Sequence, residues 1–257
     1  MRPQISVLIS TYNNRALVEK KLAEILRQTF FSQAEFIFIE TASPTREREL
    51  LEPFCRKYPN CRLIALDERK TLYDAWNIGW DAAQSPLLCY SNMDDVMHPR
   101  LLEFLVRHMN EKQWDICSVL IGKQQLGADS DDWSADRIAR LRLANNPGPF
   151  TAWRASLKER IGQFDDQLAI VGDRDFWARV SHHRLKFGIV PGILYLYSKS
   201  EDQLSKSPKY RTLYNRDLEL TAQKSYPSAF PANWKRKLAG FKFARALFPK
   251  KYLVPCP

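Results

Sequence analysis

Four short apolar runs, each followed by a stretch with helical spacing, constrain the fold of this 257-residue chain more than any other feature. The runs cover residues 5–10, 36–39, 62–66 and 87–91. Continuous apolar runs of this length are typical of strands that are buried on both faces. Because strands that alternate with helices form parallel sheets, the pattern predicts an α/β protein with a mostly parallel central sheet flanked by helices.

The helices between these runs should begin at residues that favour helix starts. Asparagine accepts hydrogen bonds from the first N–H groups of a helix, and proline suits the first helical position. The predicted starts are Asn13 or Asn14, Ser43–Pro44, residue 72 and Pro99. Farther along, residues 186–190 and 193–197 predict two short strands. Residues 122–147 predict a solvated loop in preference to a second metal site.

The fourth apolar run is followed by three polar residues, Asn92, Asp94 and Asp95. Polar groups at the carboxyl end of a buried strand lie where open α/β sheets bind ligands. Two adjacent carboxylates repel each other, so a fold holds them together at low cost when a cation or strong donors neutralise them. A plain polar turn is the alternative interpretation.

The formal net charge of +10 comes mainly from the C-terminal end of the chain. Eight lysines and arginines follow Glu219, whereas no acidic residue does. Residues 1–219 therefore carry 31 of the 39 basic residues against all 29 acidic ones, and are nearly neutral. A nucleic-acid-binding protein is disfavoured, because its excess charge would not be confined to the tail and no nucleic-acid motif is present.

The cysteines and the apolar content indicate the compartment. The five cysteines are scattered and none has CxxC spacing, which is typical of a reducing environment. No run of about 18 apolar residues is present, and the N-terminus lacks the apolar core of a signal peptide. We therefore expect a cytoplasmic protein.

Four landmarks, taken in order, resemble the family 2 glycosyltransferases of GT-A fold. They are Ile9–Asn13, Leu72–Gly79, Asn92–Asp95, and residues 153–157 with 172–177. The resemblance covers residues 4–205 and implies a GT-A domain, with a Rossmann-like sheet, over residues 1–205. Residues 206–257 remain as a basic C-terminal extension.

The resemblance implies a nucleotide-diphosphate sugar as donor, UDP- or GDP-linked. The residues that it assigns to the donor nucleotide are Thr11, Tyr12, Glu40, Thr41, Lys70, Asn77 and Asn92. Glu40 and Thr41 stand where the family usually has Asp-Asp or Asp-Asn, so the identity of the base stays open. For Lys70, a solvated surface position is an equally good interpretation.

The resemblance also implies a metal site and a catalytic base. Asp94 would be the direct ligand of Mg²⁺ or Mn²⁺, with Asp95 as a second or orienting ligand. Many relatives have a histidine ligand near the position of Ser200, and this chain has none there. Asp173 matches the base that would take the proton of the acceptor hydroxyl. The alternative is that Asp173 caps the helix at residues 176–182.

Three further residues are candidates for the sugar or acceptor site. Trp153 and Trp177 would stack a sugar ring, or else belong to the core. Asp175 would be the substitute for Asp173, or else a surface acid.

The function that follows from the resemblance is an inverting glycosyltransferase that transfers a sugar to a saccharide or lipid-linked acceptor. A catalytically silent GT-A binding domain is the alternative. The tail has apolar residues at near-helical spacing among its basic residues, which favours contact with an anionic membrane surface. A basic helix packed on the catalytic domain is the other interpretation of the tail.

Overall fold

The computed structural model describes residues 2–128, 132–144, 149–199 and 207–224, together with residues 226, 236, 239 and 240. Within these residues the chain forms one nine-stranded sheet flanked by helices. The strands are β1 (Ile5–Thr11), β2 (Ala34–Thr41), β3 (Cys61–Leu66), β4 (Leu87–Tyr90), β5 (Val96–Met97), β6 (Ile116–Gln125), β7 (Arg142–Leu143), β8 (Ala152–Arg154) and β9 (Phe187–Lys199). The α-helices are α1 (Arg15–Leu26), α2 (Arg48–Lys57), α3 (Leu72–Ala82), α4 (Leu101–Glu111), α5 (Ala135–Arg140), α6 (Leu157–Ile161), α7 (Gly172–His182) and α8 (Arg211–Gln223).

The strand order is β3-β2-β1-β4-β8-β6-β9-β5, with β7 paired to β6. The first four strands pair in parallel, as predicted from their alternation with helices. Strand β8 runs antiparallel to both of its neighbours, β4 and β6, so the complete sheet is mixed. The predicted α/β fold class is confirmed, and its parallel part contains the strands that end at the candidate site.

Two apolar cores lie on opposite faces of the sheet because side chains alternate along each strand. Leu8 of β1 belongs to the core that also contains Trp76 of α3 and Phe176 of α7. Its neighbour Val7 belongs to the other core, which includes α1 and α4 side chains such as Val18. The central strands are thus covered on both faces, which accounts for their nearly uninterrupted apolar sequence.

The prediction that the second helix begins at Ser43–Pro44 is wrong, since α2 begins at Arg48. Residues Ala42 and Arg46 have φ of 53° and 59°, so the chain turns twice before it becomes helical. The carboxylate of Glu40 accepts a hydrogen bond from the Ser43 N–H group and stabilises the first of these turns. These turns form a loop at the carboxyl end of β2.

Strand β9 is a single strand, where the sequence predicts two. Its pairing with β6 shifts register between Val119 and Leu120, opposite Pro191 and Gly192. Proline has no N–H group to donate, so the strand bulges at this point and then resumes its pairing. The bulge explains why the sequence pattern is interrupted although the strand is not.

The C-terminal boundary also differs from the sequence-based expectation. Helix α8 belongs to residues that were assigned to the extension, yet its Asp217 is fully buried against the catalytic domain. Its apolar residues Tyr214, Leu218 and Leu220 pack against the core on the α3 and α7 face. Ser200 and most of the basic tail after residue 224 lie outside the described residues.

Candidate active site

The carboxyl ends of β2, β1 and β4 lie side by side, because these strands are parallel neighbours. Thr11 ends β1, Glu40 and Thr41 end β2, and Ser91–Asn92 follows β4. The Ser91 N–H group donates to the Leu8 carbonyl oxygen at 3.0 Å, which holds the start of the acidic loop beside β1. The predicted donor residues at the strand ends are therefore brought to one edge of the sheet.

A buried glutamate connects the loops that follow β1 and β2. Glu47 is fully buried, and its Oε1 accepts hydrogen bonds from Asn14 N at 2.5 Å and Thr11 Oγ1 at 3.4 Å. Burial favours its neutral form, but hydrogen bonds from the Ser43 side chain and the Asn14 backbone hold the pKa of Glu47 below its ordinary value. The two loops are thus one hydrogen-bonded unit.

The other candidate donor residues differ in accessibility. Glu40 and Thr41 are each 3% exposed, and the Glu40 carboxylate pairs with Arg48 at 3.5 Å besides the turn that it stabilises. Tyr12 is half-buried, and the guanidinium of Arg69 lies 4.1 Å from the centre of its ring. Glu40 shapes the loop, whereas Tyr12, directly after β1, presents an aromatic ring covered by the Arg69 guanidinium.

Two predicted donor residues occupy different positions from those expected. The Asn77 side chain bridges the backbone of Phe164, donating to its carbonyl at 2.8 Å and accepting from its N–H group at 3.0 Å. Asn77 therefore packs α3 against the following segment and is not arranged to bind a nucleotide. Lys70 is exposed and pairs with Glu68 at 3.1 Å, as the surface interpretation expected.

The acidic loop after β4 places its two carboxylates in different environments. Asp95 is 1% exposed and accepts hydrogen bonds from Asn92 Nδ2 at 2.9 Å, Tyr195 Oη at 2.9 Å and Ser198 N at 2.8 Å. Burial, followed by the charge of Asp94, raises the pKa of Asp95. Asp94 is half-buried, and its pKa is raised by burial. Asp95 and Asn92 thus orient the loop, and Asp94 is the carboxylate available to a ligand.

A buried ion pair lies beneath this loop. Lys21 of α1 is 1% exposed, and its Nζ contacts Glu24 Oε1 at 3.0 Å, the Asp95 carbonyl oxygen at 2.6 Å and Ser91 Oγ at 3.3 Å. Glu24 also accepts from Met97 N at 3.1 Å. The positive charge of Lys21 opposes the rise in the pKa of both Asp94 and Asp95. The pair fixes the backbone at the end of the acidic loop, at Asp95 and Met97, and contacts the Ser91 side chain at its start.

The donor set of this loop fits a hard divalent cation. Mg²⁺ is commonly held by one or two carboxylates together with phosphate oxygens and water. Asp94 supplies one accessible carboxylate, and Asp95 adds negative charge behind it. Among the described residues no group of three or more acidic, histidine or cysteine side chains could hold a metal. Within the described residues this site therefore offers an ion these two carboxylates.

Asp173 lies in the first turn of α7, whose N-cap is Val171, so the capping role considered for it is wrong. Its Oδ1 accepts a hydrogen bond from Arg174 N at 2.8 Å and a long one from Tyr73 Oη at 3.5 Å. Burial raises the pKa of Asp173 to about 6 although both bonds favour the charged form. A carboxylate with this pKa is suited to take a proton near neutral pH.

Buried Tyr90 shows that the two acidic groups share one region of the protein. Its pKa is raised well above the ordinary value, first by burial, then by the charge of Asp173, and to a smaller extent by that of Asp95. The Tyr90 ring also stacks on Trp76 of α3 with centroids 3.9 Å apart. Asp173 and the acidic loop therefore both act electrostatically on a single side chain at the end of β4.

The residues expected to bind sugar or acceptor are core residues. Trp153 and Trp177 are both completely buried, so neither has a ring face free to stack a sugar. Asp175 is also completely buried and pairs with Arg179 at 2.9 Å and Lys224 at 2.7 Å. These three predictions are corrected by burial: the tryptophans pack the core, and Asp175 is not a substitute base.

Sequence reasoning missed the residues that support the site. Of these residues, Lys21 could have been found most easily from the sequence. It stands between Val18 and Ile25 on the buried face of α1, and a buried lysine needs a partner. Tyr73 lies in a segment that the resemblance singled out, without a role being assigned to it. Tyr195 and Asp217 act through contacts more than 40 positions away in sequence, and no local pattern indicates them.

The mixed α/β sheet, with polar and acidic residues gathered at its parallel strand ends, fits the GT-A architecture of glycosyltransferases. The family model for Glycosyl transferase family 2 matches residues 6–177, and the chain belongs to this family. It is 21% identical over 244 residues to the uncharacterized glycosyltransferase EpsJ of Bacillus subtilis, covering 88% of this chain and 68% of EpsJ.

Two solved structures share the fold. The complex of S. aureus TarS 1–349 with UDP-GlcNAc superposes with a TM-score of 0.70 at 16% identity, over 95% of this chain and 73% of that one. The mannosyltransferase PcManGT of Pyrobaculum calidifontis, in complex with GDP-Man and Mn²⁺, gives a TM-score of 0.63 at 17% identity, over 96% and 76% of the two chains. No helix in the described part of this chain is both long and apolar enough to cross a membrane.

Proposed function

We propose that this glycosyltransferase inverts the anomeric configuration of the sugar that it transfers, with Asp173 as the general base. The observation that carries the proposal is the environment of Asp173, a partly accessible carboxylate whose pKa burial raises to about 6. Such a group is charged at neutral pH and is still basic enough to accept the proton of an attacking hydroxyl. A single displacement at the anomeric carbon inverts its configuration.

The donor is proposed to bind along the ends of β1, β2 and β4, as a UDP- or GDP-linked sugar. The bound nucleotide sugars of TarS and PcManGT support this class of donor. Tyr12 and Arg69 would contact the nucleotide at the mouth of the site. Asp94 would hold Mg²⁺ or Mn²⁺, which when bound neutralises the charge on the departing diphosphate.

The proposed acceptor is a hydroxyl of a saccharide or of a lipid-linked saccharide. Asp173 would orient this hydroxyl and take its proton, and Tyr73 and Arg174 N hold the carboxylate in place. A lipid-linked acceptor would also suit peripheral membrane contact through the basic tail, whose charge favours an anionic surface.

The test compares Asp173→Asn with a matched control, Asp166→Asn, an exposed acid in the same region of the chain. Transfer or hydrolysis is measured with a panel of UDP- and GDP-sugars and Mn²⁺, and the product anomer is assigned by NMR. We expect Asp173→Asn to lower kcat by about 10²–10⁴-fold with nucleotide affinity unchanged, because only proton transfer is lost. We expect Asp166→Asn to leave kcat unchanged.

Three outcomes contradict the proposal. A retained anomeric configuration would exclude the single displacement, and an active Asp173→Asn variant would exclude the base. Nucleotide binding by the wild-type chain without turnover of any donor would indicate the catalytically silent binding domain.

A further inference from the structure

We propose that helix α8 is a positioning element of the active site, in which the Asp217 carboxylate fixes the backbone before α7 and thereby places Asp173. The inference rests on the proposed role of Asp173 as base. Helix α8 lies after the residues 6–177 that the family model matches, so the family assignment gives it no role.

The contact between Asp217 and the chain before α7 is an anion site made of backbone. One carboxylate oxygen, Oδ2, accepts from three consecutive N–H groups: Ala169 at 2.9 Å, Ile170 at 2.7 Å and Val171 at 3.3 Å. Successive N–H groups that converge on one point form a concave site that favours negative charge. The Asp217 side chain is fully buried, so these charge-assisted bonds are shielded from water.

The position of this segment in the chain makes the contact relevant to the base. Val171 is the N-cap residue of α7, and Asp173 follows two residues later. The three N–H groups lie at the N-cap of α7 and just before it, next to the positive end of the helix dipole, which also favours a negative charge there. Any displacement of residues 169–171 would therefore move the first turn of α7 and the Asp173 carboxylate with it.

Tyr73 holds the same segment from the catalytic domain. Its hydroxyl donates to the Ile170 carbonyl oxygen at 2.9 Å, and its ring lies against Gly172, where a Cβ atom would come within 2.7 Å of ring carbons. Residues 169–171 are thus held from two sides. Asp217 of α8 accepts hydrogen bonds from their N–H groups, and Tyr73 of α3 donates to the carbonyl group of Ile170. Asp217 and Tyr73 act on opposite polar groups of Ile170.

Lys224 adds a second attachment just after the end of α8. Its Nζ pairs with Asp165, which precedes residues 169–171, and at 2.7 Å with Asp175, which follows them. Asp175 is fully buried and also pairs with Arg179 at 2.9 Å, so Lys224 completes the neutralisation of a buried carboxylate on α7. Helix α8 consequently contacts the chain on both sides of Asp173.

A purely structural role for Asp217 predicts loss of folded protein, whereas a positioning role predicts a specific loss of turnover. The acidic loop that would bind the donor is supported by Lys21 and Tyr195, and its hydrogen bonds within the described residues are made to elements other than α8. Disturbing α8 should therefore change kcat and leave nucleotide affinity intact. This difference separates the two roles.

The experiment uses the full-length chain and the variants Asp217→Ala and Asp217→Asn. The matched control is Glu219→Gln, which removes one charge from an exposed residue of the same helix. Turnover, nucleotide affinity and melting temperature are measured together with hydrogen exchange of the amides of residues 169–171. Hydrogen exchange reports on the contact between Asp217 and residues 169–171 even in a variant that has no activity.

We expect Asp217→Ala to accelerate exchange at residues 169–171 and to lower kcat about 10–100-fold, since small displacements of reacting groups have effects of this size. Nucleotide affinity should change less than about twofold if the donor loop is undisturbed. Asp217→Asn retains an acceptor oxygen and should be intermediate, and Glu219→Gln should match the wild type.

The proposal would be overturned if folded Asp217→Ala kept wild-type kcat, or if kcat and nucleotide affinity fell together in proportion to unfolding. It would also be overturned if exchange at residues 169–171 were unchanged. A wild-type chain that turns over no donor would refute the proposed function. In that case, faster exchange in Asp217→Ala would still establish the contact between Asp217 and residues 169–171. The proposal that this contact positions a catalytic base would nevertheless be refuted together with the proposed function.

Discussion

The protonation of Asp173 should govern the pH dependence of turnover. Burial raises its pKa to about 6, above the value near 3.9 of an exposed aspartate. A base must be charged to accept a proton, so kcat/KM, which reports the pKa of the ligand-free enzyme, should fall as pH decreases through about 6 and be constant above it. The measurement is kcat/KM for the acceptor at saturating donor between about pH 5 and about 8, a range that spans this pKa.

Tyr73→Phe provides the control for this profile. Its hydroxyl donates chiefly to the Ile170 carbonyl oxygen at 2.9 Å, and its longer contact with Asp173 at 3.5 Å lowers the pKa of that carboxyl, so removing the hydroxyl should raise the pKa slightly and shift the acid limb to higher pH. An acid limb near pH 4, or one that Tyr73→Phe moves to lower pH, would contradict the assignment of the titrating group.

At the residue scale, the sequence indicated Asp94 and Asp173 because both belong to recognisable landmarks. The sequence could not distinguish a carboxylate that is available to a substrate from one that is buried in ion pairs. Asp175 stands only two residues after Asp173, yet it is fully buried and paired with Arg179 and Lys224. Arg179 is a local partner on the same helix, but the burial of Asp175 and its contact with Lys224, 49 positions away, depend on tertiary packing that local sequence does not contain.

Helix α1 supports the acidic loop, and this support can be tested through Lys21. In Lys21→Met, the buried Glu24 carboxylate loses the Lys21 ammonium and keeps its hydrogen bond from Met97 N, and burial already raises the pKa of Glu24. We expect the free energy of unfolding to fall by about 3–5 kcal/mol. The Kd for a nucleotide with Mn²⁺ should rise about tenfold or more, because the loop that holds the ion loses its backbone anchor.

Urea denaturation and calorimetric titration measure these effects. Lys112→Met is the control, since Lys112 is an exposed lysine at the end of α4 and does not line the cavity beside Asp94. The double variant Lys21→Met/Glu24→Gln should recover part of the stability, because it removes the buried charge that Lys21 balanced. Equal stability of Lys21→Met and Lys112→Met would show that the ion pair has no supporting role.

At the element scale, strands were more predictable than the starts of helices. The parallel strands β1 to β4 are nearly continuous apolar runs, because both of their faces are covered. The start of α2 was wrong because Glu40 and the left-handed residues Ala42 and Arg46 stabilise turns that a Ser-Pro signal does not reveal. Helix α8 was assigned to the extension because the resemblance ends at residue 205, although the helix supplies buried Asp217.

At the scale of the whole molecule, the functional boundary should fall after α8, not before it. A chain that ends at residue 206 loses Asp217 and Lys224. Three N–H groups before α7 then lack an acceptor, at about 1–3 kcal/mol each where they are buried. A chain that ends at Tyr226 keeps these contacts but lacks seven of the eight basic residues after Glu219.

The two truncations should therefore separate stability from membrane contact. We expect the chain ending at residue 206 to melt at a lower temperature and to lose turnover. The chain ending at Tyr226 should keep the melting temperature of the full chain, and its kcat with a water-soluble acceptor. It should no longer float with vesicles that contain anionic lipid, because each basic residue near such a surface contributes about 1 kcal/mol to binding. Equal flotation of the full chain and the chain ending at Tyr226 would remove the tail from membrane binding, and an unchanged melting temperature of the shorter chain would show that α8 is not part of the folded domain.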